Sequence, residues 1–217
     1  MIERAFERCQ VRSFADLGGV WAVDGGYTFF ALERFDIERA YLVDEDHTDA
    51  VRERAKAFPQ LELVSANFGS QDTADRLGPI DAVVLFDVLL HQVSPDWDEI
   101  LELYAPRTRS FVIVNPQWTG KGGAVRLLDL GREEYLRCVP PMDLHSEVFS
   151  KLDENNPRRG RPWRDVHDIW QWGISDAALT TALERLGFAL VYFEDLGRWQ
   201  GLDRFRNRAF AFAKEDR

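Results

Sequence analysis

Four clusters of glycine and polar residues stand where apolar runs end, and each suits one part of a nucleotide-like ligand. The first is DLGGVWAVDGG, Asp16 to Gly26, with the pairs Gly18–Gly19 and Gly25–Gly26 in one loop. Glycine lets a backbone approach a ligand with no Cβ in the way, and a helix starting there offers free N–H groups to an anion. The second is YLVDED, where Asp44 follows the apolar run directly and Glu45 stands beside it. An acid at a strand end can accept hydrogen bonds from both hydroxyls of a ribose. The third, ANF, sets Asn67 for an adenine edge and Phe68 for its face. The fourth, LFDVLLH, places Asp87 four residues before His91, on one face if a helical turn follows. Histidine is the natural base near neutral pH. His91 and His167, the latter in RDVHDIWQWG, are the catalytic candidates; His47 and His145 lack such a neighbourhood.

These clusters need elements to hold them. Short apolar runs at Ser13–Gly18, Arg39–Asp46, Leu61–Phe68, Ile80–Val93 and Ser110–Trp118 read as strands. Between them, Gly26–Phe35, Asp49–Phe58 and Asp96–Ala105 read as helices. Asp46 or Asp49 could cap the second of these helices, and Pro59 stops it. Apolar strands separated by helices predict a parallel sheet covered on both faces. The pattern breaks at residue 119 and resumes with a Ser175-capped helix ending at Gly187. Strands Phe188–Asp195 and Arg208–Lys214 follow with no helix between them, so the last is expected to run antiparallel. The expected fold is α/β: one domain over residues 1–217, a doubly wound seven-stranded sheet with its last strand reversed, and an inserted lobe at residues 119–174.

Composition narrows the function. At 217 residues and 45% hydrophobic, the chain can bury a core of its own. Its net charge of −10, with scattered cations, argues against nucleic acid as a partner. No run of apolar residues is long enough to cross a membrane. The charged start, MIERAFERCQ, has no apolar signal core. Two cysteines, Cys9 and Cys138, are expected to be reduced thiols in a cytoplasmic protein.

The lobe is the expected seat of acceptor selection, because variable loops at strand ends carry specificity. Trp118, Trp170 and Trp172 could stack on a sugar or aromatic acceptor, or wedge the lobe onto the sheet. Arg158, Arg159, Arg161 and Arg164 could grip a carboxylate or phosphate bidentately, or form a solvated basic loop that pairs with the protein's own acidic surface; Arg164 and the quieter Arg126 are the anion-binding candidates. Asp87 and His91 could join a lobe acid around a hard cation, yet no carboxylate pair clusters at the strand ends, so no metal is expected.

Together DLGG, LVDED, ANF, IDAVVLFDVLLHQV and SDAALTTALERLGF resemble the class I S-adenosylmethionine-dependent methyltransferases over the whole chain outside the lobe. The resemblance implies a Rossmann-like fold and S-adenosylmethionine as cofactor. Asp16, Gly18, Gly19, Gly25, Gly26, Tyr27, Asp44, Glu45, Asn67, Phe68 and Asp87 would be its contacts, with Tyr27 and Thr28 near its carboxylate. The chain departs from the family in two places: VWAVD separates the glycine pairs, and Asn67 replaces the usual acid. The implied reaction is O-methylation of a small molecule, sugar unit or peptide carboxyl group. Two alternatives remain open: a nicotinamide-dependent oxidoreductase, which lacks its compact G-x-G-x-x-G here, and a methyltransferase-like binding module without activity. Oligomeric state is not legible.

Overall fold

The computed structural model describes residues 1–199 and 201–214. Its main sheet contains β1 (Ser13–Leu17), β2 (Arg39–Asp44), β3 (Leu61–Ser65), β4 (Ile80–Phe86), β5 (Thr108–Trp118), β10 (Phe188–Arg198) and β11 (Phe205–Lys214). Their order is β10-β11-β5-β4-β1-β2-β3. Strands β1 to β5 pair in parallel, and β11 runs antiparallel to both β5 and β10. The chain therefore steps outward from β1 in one direction through β2 and β3, and in the other through β4 and β5. That reversal beside β1 opens a crevice at the carboxyl ends of the central strands.

Side chains alternate between two faces, and each face has its own core. Ala15, Leu17, Val43, Leu85 and Ile113 meet α5 (Trp97–Tyr104) and α8 (Asp176–Arg185) on one side. Phe14, Leu42, Val84 and Val112 meet α1 (Ile2–Cys9), α2 (Gly26–Arg34) and α3 (Asp49–Ala55) on the other. Helix starts follow the caps: Ser175 Oγ accepts from Ala178 N, and Asp96 with Glu99 forms a capping box. Thr48, not Asp46 or Asp49, caps α3. Two helices were not expected, α1 and α4 (Gln71–Leu77), because each is only seven or eight residues long and buries two or three side chains. β3 ends at Ser65, so Asn67 and Phe68 lie in the loop beyond it rather than in the strand.

The segment between β5 and α8 is built from short pieces: β6 (Ala124–Arg126), α6 (Arg132–Cys138), α7 (Leu144–Ser150), the hairpin β7 (Asn155–Asn156) with β8 (Arg161–Pro162), and β9 (Trp172–Ile174). β9 joins the main sheet through Gln117 and pairs with β6. This lobe has an apolar cluster of its own, into which Leu90 and Phe205 also reach. Cys9 and Cys138 are both free thiols. Among the described residues, no helix is long and apolar enough to cross a membrane.

Candidate cofactor and acceptor site

At the end of β1 the chain turns at Gly18, whose φ of +75° suits glycine and whose N–H donates to Val43 O at 2.8 Å. Gly19 lies directly on the buried carboxylate of Asp16: a Cβ there would stand 2.4 Å from Asp16 Oδ2. Thr28 Oγ1 donates to that same oxygen at 2.6 Å, while Asp16 Oδ1 has no partner. Burial pushes the Asp16 carboxyl up to about 6, against the Thr28 hydrogen bond and with help from the charge of Asp44. The loop then closes on itself, with Gly25 N donating to Gly19 O at 2.9 Å.

The two glycine pairs have different roles. Gly18 and Gly19 line a cavity of about 740 Å³ at the crevice. Gly25 and Gly26 do not line it. Gly25 opens α2 at φ +69°, packed so closely that a Cβ would come 2.9 Å from Leu42; a Cβ on Gly26 would meet nothing. Asp16 and Thr28 sit behind the loop rather than in the cavity, both buried and joined through Asp16 Oδ2.

Asp44, Glu45, Asn67, Phe68, Tyr27 and Asp87 all line the cavity. Asp44 Oδ2 accepts from Val20 N at 3.1 Å and Oδ1 from Glu45 N at 2.8 Å, which orients the carboxylate and leaves each oxygen a lone pair. Asn67 Oδ1 accepts from Gly69 N at 2.7 Å, so its NH₂ remains as donor. Tyr27 packs edge-on against Phe86, its hydroxyl raised by burial and by the Asp87 and Asp16 charges. Asp87 has a left-handed backbone, φ +55°, and a buried Oδ1 with no partner. Burial pushes its carboxyl up to about 6.

Beyond Asp87 the chain makes the single turn Leu89–His91, and His91 faces the cavity. Its ring reaches Ile169 O at 2.8 Å through Nδ1. A carbonyl only accepts, so Nδ1 carries the proton and Nε2 the lone pair in the neutral ring. Burial lowers the His91 pKa, opposed by the carbonyls of Ile169 and His167. His167 also lines the cavity, but its Nε2 lies 3.0 Å from Val93 O and 2.9 Å from Arg161 Nη1. The stretch 167–172 is thereby stitched along 90–93; Trp172 Nε1 donates to Gln92 O and Gln171 N to Leu90 O, both at 2.8 Å.

None of the five residues expected to bind the acceptor, Trp118 at the end of β5 and Arg126, Arg164, Trp170 and Trp172 in the lobe, lines the cavity. Trp118 and Trp170 are buried against Phe205 in the lobe core. Arg126 is held by Asp165 at 2.9 Å and by the ring of Trp172, and Arg164 by Asp129 at 2.7 Å. The physical reason is competition: in the lobe these rings and guanidiniums are packing and cross-linking material. The cavity instead takes Met142 and the Arg158, Arg159 and Arg161 side chains of the β7–β8 turn. Trp21, Ala22, Val23, Val88 and Gln92 also line it and were not anticipated. Trp21, an aromatic inside a glycine-rich loop, was the one legible signal among these. Among the described residues no three His, Cys, Asp or Glu side chains converge as a metal-binding group.

No family model matches this sequence, and no curated protein matches it. Solved structures do match its fold. The N-terminal domain of EvdMO1, crystallised with S-adenosylhomocysteine and D-fucose, aligns with a TM-score of 0.61 at 17% identity, over 98% of this chain and 82% of that one. The 1,6-didemethyltoxoflavin-N1-methyltransferase of Burkholderia thailandensis, with its substrate and S-adenosylhomocysteine bound, gives 0.63 at 13% identity, over 99% and 76%. The mitomycin 7-O-methyltransferase MmcR gives 0.55 at 13%, over 99% of this chain and 52% of that one. The fold is that of the class I methyltransferases.

Proposed function

We propose that this protein is an S-adenosylmethionine-dependent methyltransferase that methylates an oxygen of a small acceptor. One observation carries the reading. A single cavity of about 740 Å³, within the size range of small-molecule sites, gathers Gly18–Gly19, Asp44, Asn67–Phe68 and a neutral, anchored His91. The residues present suit the cofactor. Gly18 and Gly19 line the cavity with bare backbone, and Asp87 Oδ1 is a buried acceptor awaiting a donor. The neighbours with S-adenosylhomocysteine bound, one of them crystallised with a sugar, support the same reading.

In this reading Asp44 accepts from the ribose hydroxyls, Asn67 donates to the adenine edge, and Phe68 covers its face. The glycine loop admits the amino-acid tail, with Asp87 as its acidic neighbour. When bound, the cofactor supplies an electrophilic methyl group on a sulfonium, which leaves alignment and proton removal to the protein. His91 takes the acceptor's hydroxyl proton on Nε2, because Nδ1–H is committed to Ile169 O and burial keeps the ring neutral. His167 positions the lobe, since its Nε2–H is committed to Val93 O.

Calorimetry with S-adenosylhomocysteine tests this directly. The wild-type chain should bind it, and Asp44→Ala should weaken binding about ten-fold or more, the worth of charge-assisted hydrogen bonds. No binding at millimolar ligand rules the proposal out.

A further inference from the structure

The cavity is polarised. Its sheet side presents the carboxylates of Asp44, Glu45 and Asp87, and its lobe side presents three cations, Arg158, Arg159 and Arg161, against one acid, Asp168. The three arginines stand on and beside one tight turn. Asn156, itself buried, holds that turn: its carbonyl accepts from Arg159 N at 3.2 Å and Gly160 N at 2.9 Å, and its Oδ1 from Arg158 N at 3.0 Å. Arg159 is paired with Asp168 at 2.9 Å. Arg158 and Arg161 have no acidic partner among the described residues, and Arg161 Nη1 reaches the backbone Asp165 O at 3.5 Å. Elsewhere in this chain of net charge −10 most arginines of the lobe are spent on acids: Arg126 on Asp165, Arg137 on Glu134, Arg164 on Asp129.

We infer that the acceptor is an amphipathic anion: Arg158 and Arg161 grip an oxyanion on it, and Trp21, Val23 and Met142 cover its apolar body. This rests on the proposed methyl transfer and names the substrate class for it. Guanidiniums with free N–H forks match carboxylate and phosphate oxygens bidentately, and they offset the repulsion an acidic protein exerts on an anion. A sulfonium bearing an adenosine is drawn to the opposite, acidic side. The apolar part of the argument is exposure. Trp21 is 79% exposed, Val23 and Met142 are each 41% exposed, and all three line this cavity. Large apolar side chains left open around one cavity mark a surface that a ligand covers. The oxyanion is the handle; the methylated hydroxyl is the group near His91.

The test uses the full chain saturated with S-adenosylhomocysteine. Para-hydroxybenzoate, para-hydroxyphenyl phosphate and the neutral para-hydroxybenzamide are titrated by calorimetry, with tryptophan fluorescence alongside. One of the two anions should bind at least about ten-fold more tightly than the amide, and whichever is tighter identifies the oxyanion. Arg158→Gln with Arg161→Gln should abolish that preference and leave S-adenosylhomocysteine affinity unchanged, while Arg164→Gln keeps the preference. Equal affinities, no binding of any of the three at millimolar concentration, or a preference that survives the double substitution overturns the inference. So does a double variant that loses S-adenosylhomocysteine, because the arginines would then serve the cofactor. A wild-type chain that fails to bind S-adenosylhomocysteine is a different failure and falls on the proposed function itself.

Discussion

At the carboxyl end of the sheet, the residues that reach the cavity follow the last apolar residue of a strand: Gly18 after Leu17, Asp44 after Val43, Asp87 after Phe86. In the lobe, the largest and most conspicuous side chains turn away from it, and a surface turn supplies the cations instead. The difference comes from what each region must bury. A sheet has two covered faces that absorb its apolar residues, so polar residues at strand ends are left free for a ligand. The lobe's tryptophans, and Arg126 and Arg164 among its arginines, are consumed in making it cohere.

The contrast can be broken by substitution. If Trp118 is lobe core, Trp118→Ala should cost about 3–5 kcal/mol by the removal of a buried ring, read as a lower midpoint in urea. A variant as stable as the wild type would return Trp118 to the list of acceptor contacts. The glycine pairs offer a finer contrast. Gly19→Ala should cost up to about 3 kcal/mol through overpacking on the Asp16 carboxylate. Asp16→Ala in that background should recover part of the loss. Gly26→Ala, into open space inside a helix, should leave the melting temperature equal or higher.

Charge at the carboxyl end of the sheet gives a pH signature. With its pKa near 6 in the fold and an ordinary value when unfolded, Asp87 binds a proton more readily in the folded chain. Stability from this group is therefore fully present below about pH 4, is lost as pH rises through about 6, and stays absent above that. Asn tolerates left-handed backbone as Asp does, so Asp87→Asn should flatten that slope and stabilise the chain at neutral pH by on the order of 2 kcal/mol. Asp16 titrates in the same window and keeps part of the slope alive. Unchanged pH dependence would mean that Asp87 is hydrated rather than desolvated. The smallest effect belongs to Arg164, half exposed and paired with exposed acids: Arg164→Ala should shift stability by less than about 1 kcal/mol and leave S-adenosylhomocysteine binding intact.

Strand ends were legible because the apolar runs that define them are local. Asp44, Asn67, Phe68, Asp87 and His91 could each be placed by counting from the last buried residue. Even there, local pattern failed at Gly25 and Gly26. Flexibility before a helix reads the same whether the glycine faces a ligand or, as Gly25 does, presses on Leu42. The helices α1 and α4 left little trace, since a seven- or eight-residue helix shows barely two turns of periodicity.

By itself the sequence determined the alternation of strands and helices, the reversed final strand and the polar residues at the crevice, because each follows from hydrophobic periodicity over a few neighbours. Only the tertiary structure decided that His91 donates from Nδ1 and keeps its lone pair on Nε2. It also decided that Trp170 packs inward while Arg158 and Arg161 face the cavity. Those outcomes depend on contacts between residues far apart in the chain, such as Ile169 O against His91 across 78 positions, and no local pattern encodes which of several similar side chains will win a buried place.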